Sequence, residues 1–162
     1  FGFEKYDIIP DILCIAKGMG GGMPIGAFIS SWELMNLLTF KPKLGHITTF
    51  GGHPVNCAAS LACLEHLLAT DIMQEVEKKE HLFRTHLKHS KIKEIRGKGL
   101  MLAIEFEDEL LAKKVVDQSL EKGLIVFYFL FTKTAIRITP PLTISEDKII
   151  KGCDIIKEIL EA

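Results

Sequence analysis

The chain has 162 residues, 48% of them apolar, which suits one domain or a domain and a half with a packed core. Twenty Lys and Arg stand against 21 Asp and Glu, a formal net charge of -1, so nothing in the balance favours a polyanion such as nucleic acid over a small metabolite. The chain opens at Phe1 without a methionine and soon enters a buried-strand pattern, so the expectation is that an earlier stretch is missing. After the turn signal of Asp7 and Pro10, residues 11–16 read as an apolar strand, and PIGAFIS at 24–30 reads as a second. The four glycines within 18–22 mark a tight loop between them, because glycine loses the most backbone entropy in a regular element. SSWELMNLL predicts a short helix capped by Ser30 or Ser31, followed by a polar stretch from Thr39 to His53.

A longer helix starts at Pro54, with Ala58, Leu61, Ala62, Leu64, Leu67 and Leu68 as its apolar positions; its small residues predict close packing on a sheet or another helix. Asp71 followed by Gln74 has the form of a capping signal and predicts a second helix with Ile72, Val76, Phe83 and Leu87 on one face. A domain boundary is placed near Thr70 and Asp71, giving units 1–70 and 71–162. Beyond it come the strand IKEIR, the turn GKG, the strand LMLAIEF, a helix from about Asp108 to Lys122 ended by Gly123, and the strands LIVFY and TAIRI. A last helix starts at Ser145 and buries Ile149, Cys153, Ile156 and Leu160. This order predicts a small α/β domain with a partly antiparallel sheet.

Cys14, Cys57, Cys63 and Cys153 form no C-x-x-C pair and sit among apolar neighbours, which predicts buried free thiols and a reducing, cytoplasmic setting. No apolar run approaches the roughly 20 residues of a membrane helix, and no membrane partner is expected. KGMGGG is neither a Walker loop nor a G-x-G-x-x-G fingerprint, since Met23 takes the place of the last glycine. His81, His86 and His89 lack the cysteines or carboxylates that would complete a metal set. No G-x-S-x-G motif supports a serine nucleophile.

Three residues stand out. Lys17 lies where the first strand meets the glycine loop, and ligands of open α/β sheets bind beyond the carboxyl ends of strands. It is either a solvated loop lysine or a nucleophile; the apolar strand before it and the close-approaching backbone after it suit a desolvated amine of lowered pKa. Thr49 precedes Phe-Gly-Gly, where a hydroxyl either serves a turn or donates to phosphate. Arg137 precedes Pro140 and Pro141 and is either a solvated strand residue or a two-pronged carboxylate grip.

The run DILCIAKGMGGGMPIGAF resembles the cofactor-lysine segment of the class III aminotransferases, which include ornithine, acetylornithine and 4-aminobutyrate aminotransferases. GHITTFGGHPVNCAASLA, EIRGKGLMLAIEF and AIRITPPLTIS are similar to later stretches of the same family, so the likeness runs from Phe1 to the C-terminus. It implies the end of the large, mostly parallel-sheet domain of a fold-type I transferase (1–70) followed by a small C-terminal α/β domain (71–162). It implies a Schiff base between Lys17 and pyridoxal 5'-phosphate, with Lys17 moving the substrate's α-proton as base and then acid. By the same likeness Thr49 binds the cofactor phosphate of a neighbouring subunit in a homodimer, and Arg137 binds the carboxylate of an amino acid or 2-oxo acid. Arg96 and Lys98 receive no catalytic role. His53 stands where many relatives carry asparagine, which leaves the details of the dimer contact open.

Relatives carry the phosphate-binding glycine loop, the ring-stacking aromatic residue and the aspartate paired with the pyridine nitrogen upstream of this stretch, so the 162 residues alone are expected to show negligible transamination. Without sheet partners, residues 1–70 are expected to be less ordered than the rest or to pair with another chain. The expected reaction is amino-group transfer from an amino acid or ω-amine to a 2-oxo acid through a ping-pong cycle. The alternatives are another reaction on the same scaffold, such as an aminomutase, racemase or decarboxylase, or a non-catalytic fragment that only associates.

Overall fold

Strand β4 (Met101–Phe106) forms the spine of the better-packed half of the chain: Leu102, Ile104 and Phe106 alternate onto one face and are almost wholly buried. The structure, a computed structural model, describes residues 1–43 and 45–162. It divides into two compact units, Phe1–Thr70 and Asp71–Ala162.

Within Phe1–Thr70, β1 (Ile12–Ile15) and β2 (Ala27–Ser30) pair antiparallel, Ile12 opposite Ser30 and Ile15 opposite Ala27. The mostly parallel pairing expected for this region is not made by these two strands. A parallel pair requires a crossover of about a dozen residues or more, usually helical, whereas residues 16–26 turn back through the 3-10 turn Lys17–Gly20. Helix α1 (Trp32–Leu37) starts at Ser31, whose hydroxyl accepts the Leu34 N–H at 3.3 Å. Of the polar stretch 39–53, Leu44 lies outside the described residues.

Helix α2 (Pro54–Ala69) has proline in its first turn but buries none of its residues. Leu61, Leu64 and Leu68 are exposed, although the small residues of this helix predicted close packing on a sheet or another helix. Among the described residues of this unit only Gly20 is buried, because one hairpin and one long helix offer too little surface to cover each other.

Within Asp71–Ala162 the expected start of α3 is corrected. Asp71–Met73 is a 3-10 turn in which the Gln74 amide donates to the Asp71 carboxylate at 2.9 Å, and α3 itself runs over Val76–His86. A hairpin follows, β3 (Ile92–Lys98) with β4, then α4 (Glu109–Glu121), β5 (Phe127–Tyr128), β6 (Ala135–Ile138) and α5 (Glu146–Glu161). Asp108 caps α4 by accepting the Leu111 N–H at 2.8 Å, and Gly123 leaves it at φ 78°. Ser145 stands at the start of α5 without a side-chain capping bond.

The sheet order is β3-β4-β6-β5, and all three pairings are antiparallel rather than partly so. Its core face meets Phe83 of α3 and Leu87 just past its end, Ala112 and Val115 of α4, and Ile149, Cys153, Ile156, Ile159 and Leu160 of α5. At about 25 cal/mol per Å² of apolar surface, this interlocked layer is what holds the unit together. Two charges enter α3's buried face. Lys79 donates to the Leu142 carbonyl at 2.6 Å and pairs with Glu75 at 2.8 Å, while Glu80 accepts from Gly99 and Arg84. No helix of the described residues is long and apolar enough to cross a membrane. No group of three His, Cys, Asp or Glu among them could hold a metal ion.

Candidate functional site

Lys17 is the first residue of the turn that closes β1, and its backbone lies in the left-handed region at φ 55°. A side chain is rarely held there without cause, and such strain gathers where a group must be presented in one direction. The turn is closed by the Met19 N–H on the Ala16 carbonyl (3.3 Å), Gly21 on Gly18 (3.2 Å) and Met23 on Gly20 (3.0 Å). Gly21, at φ 57°, lies so close to α2 that a Cβ there would meet the Ala59 carbonyl oxygen at 2.9 Å and Cys63 Cβ at 3.1 Å. Two further bonds fix the loop to the helix: the Asn56 amide donates to the Pro24 carbonyl at 2.7 Å, and the Cys63 thiol donates to the Gly18 carbonyl at 3.6 Å.

Within this unit the Lys17 side chain is exposed, and its amine makes no hydrogen bond or ion pair among the described residues. The shelter expected for it is therefore not supplied by Phe1–Thr70, which buries almost nothing. Thr49, also exposed, sits in the turns leading into α2, where the Gly51 N–H bonds the Thr48 carbonyl at 3.2 Å and the His53 N–H bonds that of Phe50 at 3.2 Å. The N-terminus of α2 has neither a side-chain cap nor an acidic residue in its first turn, so its free N–H groups favour an anion. Lys17 and Thr49 make no hydrogen bond to each other; the glycine loop and α2 connect their segments.

Arg137 belongs to the other unit, at the middle of β6 on the sheet face away from the helices. Its guanidinium carbon lies 5.5 Å from the ring centroid of Phe127 and 5.9 Å from that of Phe129. Arg96 on β3 shares this face, 5.8 Å from the Phe129 ring and paired with Glu105 at 3.0 Å. Glu105 also accepts the Thr134 hydroxyl; this bond foremost, with Arg96 adding to it against the effect of burial, holds its carboxyl below the usual range. Arg137 has no carboxylate partner among the described residues. Sequence reasoning passed over Phe127, Phe129, Asn56 and Cys63. The signal for the two phenylalanines was the run FYFLF one strand from an arginine.

Within Phe1–Thr70 the groups left without partners among the described residues are the Lys17 amine and the Thr49 hydroxyl beside the uncapped start of α2; within Asp71–Ala162 the Arg137 guanidinium has no carboxylate partner. The first pair has the chemistry that pyridoxal phosphate requires, an amine for an aldehyde and a hydroxyl with free N–H groups for a phosphate, and a guanidinium by itself suits a carboxylate.

The chain resembles known proteins over almost its whole length. The profile of the Aminotransferase class-III family matches residues 1–160. Acetylornithine aminotransferase of Caldanaerobacter subterraneus is 39% identical over 99% of this chain and 40% of its own length, and that of Haemophilus ducreyi 35% identical over 99% and 39%. Among solved structures, an aminotransferase of Bacillus anthracis superposes with a TM-score of 0.88 at 29% identity, covering 99% of this chain and 41% of its own. Acetylornithine aminotransferase of Elizabethkingia anophelis gives a TM-score of 0.85 at 33% identity over 99% and 41%. The chain spans about two fifths of the length of the curated relatives it matches. With its family profile matched almost from end to end, the chain belongs to the class III aminotransferases.

Proposed function

We propose that this chain is the C-terminal part of an aminotransferase that moves an amino group between an amino acid or ω-amine and a 2-oxo acid. The observation that carries the reading is Lys17: an uncommitted amine on a left-handed residue at a strand end, beside a glycine loop fixed to a helix. Lys17 would hold pyridoxal phosphate through its ε-amine, and Thr49 with the start of α2 would take the phosphate. When bound, the cofactor supplies an electron sink for the bond-breaking step.

The chain's own residues do the rest. The strained backbone aims Lys17, whose amine would accept the substrate α-proton and later return it. Arg137 would grip a substrate carboxylate with two parallel hydrogen bonds and so limit how the substrate can turn. Phe1–Thr70 is taken as the end of a large domain and Asp71–Ala162 as a small one, in a chain that spans about two fifths of its curated relatives. A homodimer, in which Thr49 serves the partner's cofactor, and a reducing, cytoplasmic setting complete the proposal.

The test is borohydride reduction of the full-length polypeptide carrying this chain, loaded with pyridoxal phosphate, followed by peptide mapping. The adduct is expected on Lys17 and absent from K17A. An adduct elsewhere, or one retained in K17A with full activity, would overturn the reading.

A further inference from the structure

We propose that Phe129 is a positioning residue that keeps Arg137 free for a substrate carboxylate by holding it apart from Glu105. The inference rests on the reading of Arg137 as the carboxylate grip. The strand register places Arg96, Ala103, Arg137 and Phe127 in one row across β3, β4, β6 and β5, on the face away from the core. Glu105 lies opposite Glu94 on β3 and opposite Ala135 on β6. It is therefore a diagonal neighbour of Arg96 on one side and of Arg137 on the other, and long side chains span such a diagonal.

By position alone, one carboxylate has two candidate arginines. It takes Arg96, at 3.0 Å, and is tethered by the Thr134 hydroxyl. Ala103, between the two arginines, is too small to keep them apart. The group that engages both is the Phe129 ring, with each guanidinium carbon within 5.9 Å of its centroid. The Phe129 N–H bonds the Ala135 carbonyl at 3.4 Å, which seats the ring just past the end of β5.

A ring face attracts each cation without neutralising it, whereas a carboxylate would neutralise Arg137 and compete with substrate. The aromatic run thus leaves one arginine internally paired and the other charged and oriented. Phe127, on the far side of Arg137, completes the bracket.

The test is nuclear magnetic resonance of the full chain with nitrogen-15 arginine, following the Arg137 Nε–H signal, assigned by its loss in R137K, during titration with acetate. F129L is expected to weaken acetate binding by about threefold or more, and F129Y, which keeps the ring, to hold it. Adding E105Q to F129L removes the competing carboxylate and restores the affinity, which a merely structural role for Phe129 would not produce. T134V, which frees Glu105 without touching the ring, weakens binding in the same direction and keeps the idea testable should F129L misfold. Unchanged affinity in F129L, or no recovery with E105Q, would overturn the inference while leaving the carboxylate reading standing. Absence of any acetate response at Arg137 in the unsubstituted chain would remove that reading and this inference with it.

Discussion

Glu80 on α3 accepts the backbone N–H of Gly99 at 2.6 Å, and its other carboxylate oxygen accepts the Nε–H of Arg84 at 2.9 Å. Arg84 in turn donates to the Ile95 and Gly97 carbonyls. One acidic side chain and one basic one thus clamp the β3–β4 turn to the helix that precedes β3, and a half-buried amide and two carbonyls are satisfied.

Replacing Glu80 by Gln is expected to destabilise Asp71–Ala162 by about 1–3 kcal/mol, since a charged acceptor between two donors is lost. Burial alone pushes the Glu80 carboxyl up, but the Gly99 amide and the Arg84 guanidinium outweigh it and hold it below the ordinary 4.5. The unfolded chain therefore binds this proton more readily than the folded one. The contribution is complete above the ordinary carboxylate value and is lost as pH falls through the depressed folded one. Urea midpoints of the two proteins should converge between about pH 7 and about pH 3, and a constant difference would refute the assignment.

Gly97 has φ 115°, and a Cβ there would lie 2.2 Å from the Met101 carbonyl oxygen and 3.0 Å from Leu102 Cα, both backbone. G97A is expected to cost at least about 2 kcal/mol, since neither the torsion nor the neighbour can yield cheaply. Thermal unfolding followed by circular dichroism checks this, with an unchanged midpoint as the contrary result.

Cys153 is fully buried in α5, and loss of hydration, with Asp154 nearby, pushes its thiol up to about 12. It should resist a thiol-specific disulfide reagent in the native chain at neutral pH and react only on unfolding. Cys14 and Cys57, both exposed, should be modified first. Mass mapping of partly labelled protein distinguishes them, and early labelling at Cys153 would contradict its burial.

Asp108 caps α4 through the Leu111 N–H. D108A is expected to lower stability by about 1 kcal/mol, while D108N, which keeps an acceptor, loses less. Equal losses in the two variants would mean that charge rather than capping matters.

The order of elements in Asp71–Ala162 was legible because each is announced locally: an aspartate cap and a terminal glycine for α4, a four-position apolar stripe for α5, and glycines at the β3–β4 turn. The start of α3 was misread because the Asp71 and Gln74 side chains bond each other in a 3-10 turn instead of capping the helix. Lys79 and Glu80 carry no local signal of burial, yet tertiary partners further along the chain pull them inward. The lysine, threonine and arginine could be singled out by residue type and neighbours. The exposure of Lys17 could not, because the apolar strand before it pointed to shelter that Phe1–Thr70 does not supply. The phenylalanine bracket on Arg137 was missed because FYFLF reads as plain apolar strand; its meaning comes from the register that sets it beside two arginines.

The contact of Gly21 with Ala59 has a bearing on how this stretch of sequence can vary. Because the lysine turn is docked directly on α2, the separation between the residues flanking Lys17 and those following Thr49 is measured across that contact and not along the intervening peptide. Insertions or deletions in the α1 region can then come and go without retuning the two ends, whereas a methyl group at position 21 would shift both together.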